Sequence, residues 1–362
     1  MDLFSPRQAP FVEWIVSKGL LHEPFVFVDV GCQGGEHPRW RFLGDRLQLY
    51  AFDALVEVIE ELKAAAPGAS NRHYFAQALG NVDGSQVIGV PPNRFETSFY
   101  GVDSATMERR EVPAVRLDTL FDQGVIGAID FIKLDCEGHE AEVLKGAQTL
   151  MSNSELLGVE TETNFNISNL HPVSHFHSIY EQIVRHKMLV FDLAHDRVPM
   201  PEFMKHVPDL PPTAAFGNSF GRIATCNVLL ARNLRLEAAG PGSYGPQSRP
   251  MARLEPDKVI KLAIIFELYG LQDWAVDALA LYADTVGARL DLDKAATLLT
   301  GATIEIAEAN RKIAAGLGRL GEALGFYGSA SLIVRELGLR LAHHDRDAMD
   351  VFVRLLNGKF RS

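Results

Sequence analysis

The sequence predicts an α/β protein: a Rossmann-like, doubly wound, mostly parallel sheet, followed by a small all-α C-terminal domain. Three observations predict it. Short apolar runs end repeatedly in a glycine or an acid, and stretches of helical period alternate with them. Past a Gly/Pro-rich segment the strand-like runs stop, and Ala/Leu-rich helical period takes over.

Residues 9–22 have the period of an amphipathic helix. FVFVDVG (25–31) is a Val/Phe run closed by glycine, as expected of a central strand buried on both faces. LQLYAFD (47–53) repeats that pattern, and VEVIEELKAA follows with helical period. HYFAQALG (73–80) reads as a third strand, then NVDG and SQVIGV as a hairpin turn with its return strand. EVPAVRLDTLF, AIDFIKLDCEG (128–138) and ELLGVETE (155–162) read as further strands, with EAEVLKGAQTLM as the helix between the last two. The glycines and prolines of EAAGPGSYGPQSRP mark a linker over 237–252. It separates a domain over 1–236 from a helical domain over 253–362.

Composition narrows the function. The 46 acids against 35 bases leave −11, which repels a phosphate backbone, and no basic patch offsets it; a nucleic-acid substrate is not expected. Cys32, Cys136 and Cys226 occur singly, without CxxC spacing, which suits a reducing compartment. MDLFSPRQAPFVEW lacks a charged start followed by an apolar core, and no apolar run reaches the ~18–20 residues of a membrane span. A cytoplasmic enzyme is therefore expected.

Four segments carry chemistry. In VDVGCQGGEHP (28–38), Asp29 sits at a strand end, and Gly31, Cys32, Gln33 and Gly35 form a tight turn into a helix. Glycines let the backbone approach a ligand, and a helix N-terminus supplies a positive dipole. A dinucleotide fingerprint starting at Gly31 needs glycines where Gln33 and Glu36 stand. The loop suits instead a ligand with a carboxylate and an amine, such as the methionine end of S-adenosylmethionine. Asp53, closing the second strand beside Ala54, is placed to accept both ribose hydroxyls of a nucleoside, or to cap the helix beginning near Leu55. Gln77, Ala78 and Leu79 can offer adenine a hydrogen bond and an apolar wall, or simply end a strand.

The most distinctive segment is IDFIKLDCEGHEAEVLKGA (129–147). A buried strand delivers Asp135, Glu137 and His139 to the sheet's carboxyl edge, where open α/β sheets bind ligands. Such groups are expensive there unless solvated, paired or used. Glu137 and Glu140 can equally complement the dipole of the following helix. After the next strand come Glu160, Glu162, Asn164, His171, His175 and His177. Asp135, Glu137, Glu160 or a histidine such as His171 is placed to act as general base toward a hydroxyl. A divalent metal held by Asp135 and the Glu160/Asn164 region is an alternative, although no HExxH or other fixed ligand pattern occurs.

In order and spacing, VDVGCQGG, the acid of AFDA, ALGNVDG, VRLDTLF, IDFIKLDCEGHEAEVLKGA and LLGVETE resemble the FkbM-type methyltransferases over residues 25–195. That family's signature, a strand, K-x-D-x-E-G-x-E and a helix with V-L-K-G-A, is complete here. Gln33 stands where the family usually has Asn, and TETNFNISNLHPVSHFH matches no pattern of the family. The resemblance implies a methyltransferase-type sheet, S-adenosylmethionine as donor, and O-methylation of a hydroxyl, often on sugars, glycans or secondary metabolites. It implies cofactor roles for Asp29, Gly31, Gln33, Gly35, Asp53 and Asp135, with Cys32 and Ala54 lining the same turns. The expected partner is a small-molecule or glycan acceptor, and the helical domain is available for dimerisation or a protein partner. An NAD-dependent oxidoreductase or epimerase is disfavoured by Gln33 and Glu36; a scaffold that has lost catalysis is disfavoured by Asp29, Asp53 and Asp135.

Overall fold

The computed structural model describes residues 8–94, 96–100, 102–164, 175–198, 215–216, 222–235 and 253–301. The expected linker at 237–252 and residues 302–362 of the expected helical domain lie outside them. The chain divides into two compact units, one of Leu21–Leu262 and one of Met1–Leu20 with Ala263–Ser362.

In the larger unit, β1 (Phe25–Val30), β2 (Leu47–Asp53) and β3 (Arg72–Ala76) run outward from the middle of the main sheet. The chain then returns to the other side of β1 with β7 (Phe131–Leu134), followed by β8 (Gly158–Thr163). These five strands are parallel. β11 (Arg222–Arg232) inserts antiparallel between β8 and β9 (Met188–Val198), and the two-residue β10 (Ala215–Phe216) pairs with β9. The order is β10-β9-β11-β8-β7-β1-β2-β3. It is a doubly wound, Rossmann-like sheet, with its switch point between β1 and β7. Ligands of such sheets bind in the crevice at that point, outside the carboxyl ends of the strands.

The central strands form where the sequence is continuously apolar. Phe25, Phe27, Val28 and Val30 of β1 and Phe131, Ile132 and Leu134 of β7 are buried. Trp40 fills the space beside them, its ring 4.7 Å from Phe27 and 5.1 Å from Phe131. At the amino end of β7, buried Asp130 accepts from the Val26 N–H at 2.8 Å and pairs with Lys258 and Lys261, each at 2.8 Å. A buried carboxylate is tolerated when it is matched in this way.

Four expectations are corrected. In EVPAVRLDTLF the strand ends at Val115, and LDTLF opens α3 (Leu117–Asp122) instead of continuing it. HYFAQALG is not one strand: the chain leaves the main sheet at Gln77, and β4 (Ala78–Leu79) pairs with β6 (Glu108–Val115), which with β5 (Gly84–Val90) makes a second sheet of order β4-β6-β5. Nor does β5 fold back on the strand before it; it pairs with β6. The Asp83 carboxylate, in the turn before β5, accepts from the Arg116 backbone and guanidinium and from the Thr119 hydroxyl, drawing the turn toward the end of β6. EAEVLKGAQTLM splits into α4 (Glu140–Lys145) and α5 (Gln148–Ser154). Asp118, in α3, accepts from the Thr149 and Leu150 N–H groups and so caps α5. At the break a Cβ on Gly146 would lie 2.0 Å from the Gly80 carbonyl oxygen.

The described residues of the smaller unit form helices joined by short turns, with no strand among them. The unit holds α1 (Pro10–Ser17), the end of the helix Pro256–Leu268, and the helices Gln272–Leu281 and Ala283–Val286. Ala9, which precedes α1, offers no capping side chain. Glu267 supplies one from afar, accepting from the Phe11 and Val12 N–H groups at 3.0 and 2.8 Å. Among the described residues no helix is long and apolar enough to cross a membrane.

Gly146→Ala should lower the unfolding free energy by about 1–3 kcal/mol, because backbone rather than a flexible side chain blocks the added methyl. Urea unfolding followed by fluorescence tests this; an unchanged midpoint would mean that the Gly80–Gly146 contact yields freely.

Candidate active site

The switch point gathers the acids. In the parallel register Asp29 of β1 stands beside Lys133 of β7, which stands beside Glu160 of β8. Neighbours in register share a face of the sheet, so one cation lies between two acids. Asp135, two residues beyond Lys133, returns to that face. The Lys133 ammonium is 3.1 Å from Asp135 Oδ2 and 3.5 Å from Asp29 Oδ1. Burial works against its charge, but Asp29, Asp135 and Glu160 more than offset that and hold it above the ordinary lysine range. Burial pushes Asp29 up to about 6, even with Lys133 opposing the shift. Asp29 Oδ1 is buried and receives no hydrogen bond.

Beyond β1 the chain turns through Gly31, Gly34 and Gly35, with φ of 76°, 87° and 84°. At Gly31 the requirement is absolute: a Cβ would lie 1.8 Å from the Asp135 carbonyl oxygen. The loops after β1 and β7 therefore meet backbone to backbone. Cys32 is buried, while Gln33 and Gly35 are half-buried. The segment after the loop, Pro38–Arg46, is a 3₁₀ helix rather than the expected α-helix, and its backbone breaks at Gly44. Pro38 at its start and the break leave little of the dipole that a regular helix would present. Glu36, at one of the positions where a dinucleotide loop needs glycine, pairs with Arg72 at 2.9 Å.

Asp53 closes β2. Its Oδ1 accepts from the Leu55 N–H at 2.8 Å, so the local turn-forming role is real. Burial pushes it up to about 6, with that N–H opposing. Ala54 and Gln77 are half-buried, and Ala78 and Leu79 are buried in β4.

On the other side of Asp135 lie Glu137 and Glu162, which the backbone brings in from a loop and from β8. One oxygen from each of the three carboxylates lies within 4.8 Å of the others. Among the described residues no other group of His, Cys, Asp and Glu converges closely enough to share a cation. Burial and neighbouring acids push Glu137 up to about 7 and Glu162 well above the usual carboxylate range. Glu162 is hydrogen-bonded to Asp135, so a proton shared between them relieves their repulsion. The Cys32 and Cys136 thiols are pushed far up by burial and adjacent acids, and stay protonated.

His139 packs elsewhere. Its ring stacks on Phe99 at 3.9 Å and 20°, next to Gly80, and its Nδ1 is buried without a partner. Burial lowers it to about 4, so it is neutral at pH 7. His171 lies outside the described residues. His175 and His177, at the start of α6 (Phe176–Ile183), stack on each other at 5.8 Å, and Asn164 bridges to His175.

Residues 47–183 match the family model described as the methyltransferase FkbM domain. Over that segment the chain resembles the FkbM methyltransferase domain. No curated protein matches it. Among solved structures the chain is similar to methyltransferase FkbM from Methylobacillus flagellatus KT, at 15% identity and a TM-score of 0.29, covering 57% of this chain and 43% of that one. It thus spans less than half of that protein's length. It is also similar to magnesium protoporphyrin IX methyltransferase from Synechocystis PCC 6803, at 10% identity and a TM-score of 0.31, covering 61% and 80%. A third likeness, to precorrin-6y C5,15-methyltransferase from Geobacter metallireducens GS-15, has 10% identity and a TM-score of 0.29, covering 60% and 85%.

Each named residue of the K-x-D-x-E-G-x-E segment (133–140) has a mechanical cause here. Lys133 and Asp135 share a face. Glu137 and Gly138 turn the chain through left-handed backbone, φ 52° and 96°. Glu140, 1% exposed, accepts from the Cys136 and Gly138 N–H groups, both at 3.1 Å, and ties the turn. The Ser98 hydroxyl holds the Glu137 carbonyl at 2.8 Å. Reading the sequence alone missed Lys133 and undervalued Glu162 and Glu140. The signal for Lys133 was a lone lysine inside an apolar strand, two residues before an acid.

Glu140→Ala should destabilise the larger unit by about 1–3 kcal/mol for each N–H left without a partner, and Glu140→Gln, which keeps an acceptor oxygen, by less. Thermal unfolding of both variants tests this; equal losses would show that the oxygen does not tie the turn.

Proposed function

We propose that the protein is an S-adenosylmethionine-dependent methyltransferase that methylates a hydroxyl of a sugar, glycan or related small metabolite. The observation that carries the donor is Asp29. Its buried Oδ1 has no hydrogen-bond donor, next to a loop whose glycines open the backbone to a ligand. A buried carboxylate oxygen whose nearest donor is the Lys133 ammonium at 3.5 Å has room for a closer ammonium group. One strand over, Asp53 keeps Oδ2 for ribose hydroxyls while Oδ1 serves the local turn. Gln77, Ala78 and Leu79 serve the adenine in this reading. The match to the FkbM domain supports the same donor.

When bound, S-adenosylmethionine supplies an electrophilic methyl group on sulfur. Gly31, Cys32, Gln33, Gly35 and Ala54 shape the turns around it, and Asp29 and Asp53 anchor its two ends. Asp135, with Glu137 and Glu160 beside it, accepts the proton that the acceptor hydroxyl must lose. Alignment of donor and acceptor contributes the larger part of the rate. No step needs a thiolate or an imidazolium: the thiols stay protonated and His139 stays neutral.

Calorimetric titration with S-adenosylhomocysteine should show saturable one-site binding, and titration with NAD none. Asp53→Ala should weaken that binding by about 1.5–3 kcal/mol, roughly 10- to 100-fold, with the fold intact. Preference for NAD, or unchanged affinity in the variant, would remove the donor or the ribose assignment respectively. Asp29 and Asp53 take up protons as the pH falls through about 6, so affinity should drop between about pH 8 and about pH 5. An affinity flat across that range would mean that neither carboxylate touches the ligand.

A further inference from the structure

Lys133 has no part in the reading above, yet it is the cation at the centre of the site. Its ammonium lies between Asp29, which ends β1, and Asp135, which follows β7, and these are the two sides of the switch-point crevice. We propose that Lys133 is the positioning residue of the donor pocket, fixing the Asp29 and Asp135 carboxylates so that the amino-acid end of the donor is held between the loops after β1 and β7. This rests on the proposed function.

The two contacts are unequal. At 3.1 Å Lys133 donates to Asp135, while at 3.5 Å from Asp29 Oδ1 it gives charge without a hydrogen bond. Asp29 is thereby kept anionic with its oxygen still open, the state in which it can receive a ligand's ammonium. Burial lifts Asp29 even with this cation near; with an apolar side chain in its place, the charge that opposes that lift is lost and the repulsion between the acids is unopposed. The loops cannot compensate by moving together, because the Gly31 backbone already touches the Asp135 carbonyl. Lys133 has no hydrogen bond or ion pair with Asp53, at the end of β2, so under this proposal its charge acts on the amino-acid end of the pocket and leaves the nucleoside end independent.

That independence is the test. S-adenosylhomocysteine carries both ends, whereas 5′-methylthioadenosine carries the nucleoside and thioether but no amino acid. Lys133→Met and Lys133→Arg are titrated with each ligand by calorimetry, with circular dichroism to confirm folding. The expected result is at least about tenfold weaker binding of S-adenosylhomocysteine to Lys133→Met, with 5′-methylthioadenosine within about threefold of wild type. Lys133→Arg, which keeps the charge and displaces it, should show a smaller loss confined to S-adenosylhomocysteine, and it decides the matter should the methionine variant fail to fold. Equal losses for both ligands would mean a merely structural lysine, and unchanged S-adenosylhomocysteine binding would mean no role; either overturns the proposal. If the wild-type protein binds neither ligand, it is the proposed function itself that fails.

Discussion

The charge of Lys133 constrains the centre of this protein more than any other interaction. Moving an ammonium out of water costs several kcal/mol, and only close opposite charge offsets it. In a parallel sheet that charge must come from the flanking strands in register, or from two residues along the same strand. Asp29, Glu160 and Asp135 occupy those positions. The match exists only if β1, β7 and β8 are neighbours, so the ion cluster and the strand order depend on each other. At the opposite end of β7, Asp130 is balanced by Lys258 and Lys261. The short strand is thus held by charge at both ends, while its apolar side chains fill the core between.

Backbone contacts set the remaining tolerance. Gly31 touches the Asp135 carbonyl and Gly146 touches the Gly80 carbonyl, so the loops after β1, β4, β7 and α4 are locked at fixed distances. Glu137 holds strained left-handed backbone that persists because Glu140 and Ser98 fix the turn from both sides, and Gly138 continues the turn without strain. Carboxylates that converge on one site need such fixing, since their mutual repulsion would otherwise spread them.

Much of this was legible in the sequence, for a physical reason. Strands of a parallel sheet are buried on both faces, so FVFVDVG, LQLYAFD and DFIKLD appear as short apolar runs closed by an acid or a glycine, and the acids land at the carboxyl edge. What was hidden depends on partners distant in sequence. β9 and β11 were not anticipated, because β11 inserts between β8 and β9 out of chain order. The exit of the chain at Gln77 depends on β6, more than thirty residues on. The division of EAEVLKGAQTLM at Gly146 depends on Gly80 and Asp118. Lys133 reads as an intruder in an apolar strand until its cross-strand neighbours are known. The acids were visible singly, whereas their convergence required the register of β7 with β8.

The electrostatics of the crevice bear on what kind of ligand it can accept. A sheet that binds a dinucleotide at this edge offers a glycine loop running into a helix N-terminus, so amide groups and a positive dipole meet a pyrophosphate. Here the loop leads into a 3₁₀ segment broken at Gly44, and Glu36 stands at a position that such a loop fills with glycine. Across the crevice are Asp29, Asp135, Glu137, Glu160 and Glu162, with Lys133 as the cation within reach. Even with Glu162 protonated, the acids outnumber that cation. A pyrophosphate placed there would meet like charge with little dipole to compensate. A ligand carrying positive charge next to a nucleoside meets the opposite field. The sheet topology alone allows both kinds of ligand; the charges that this sequence places on its edge favour the cation.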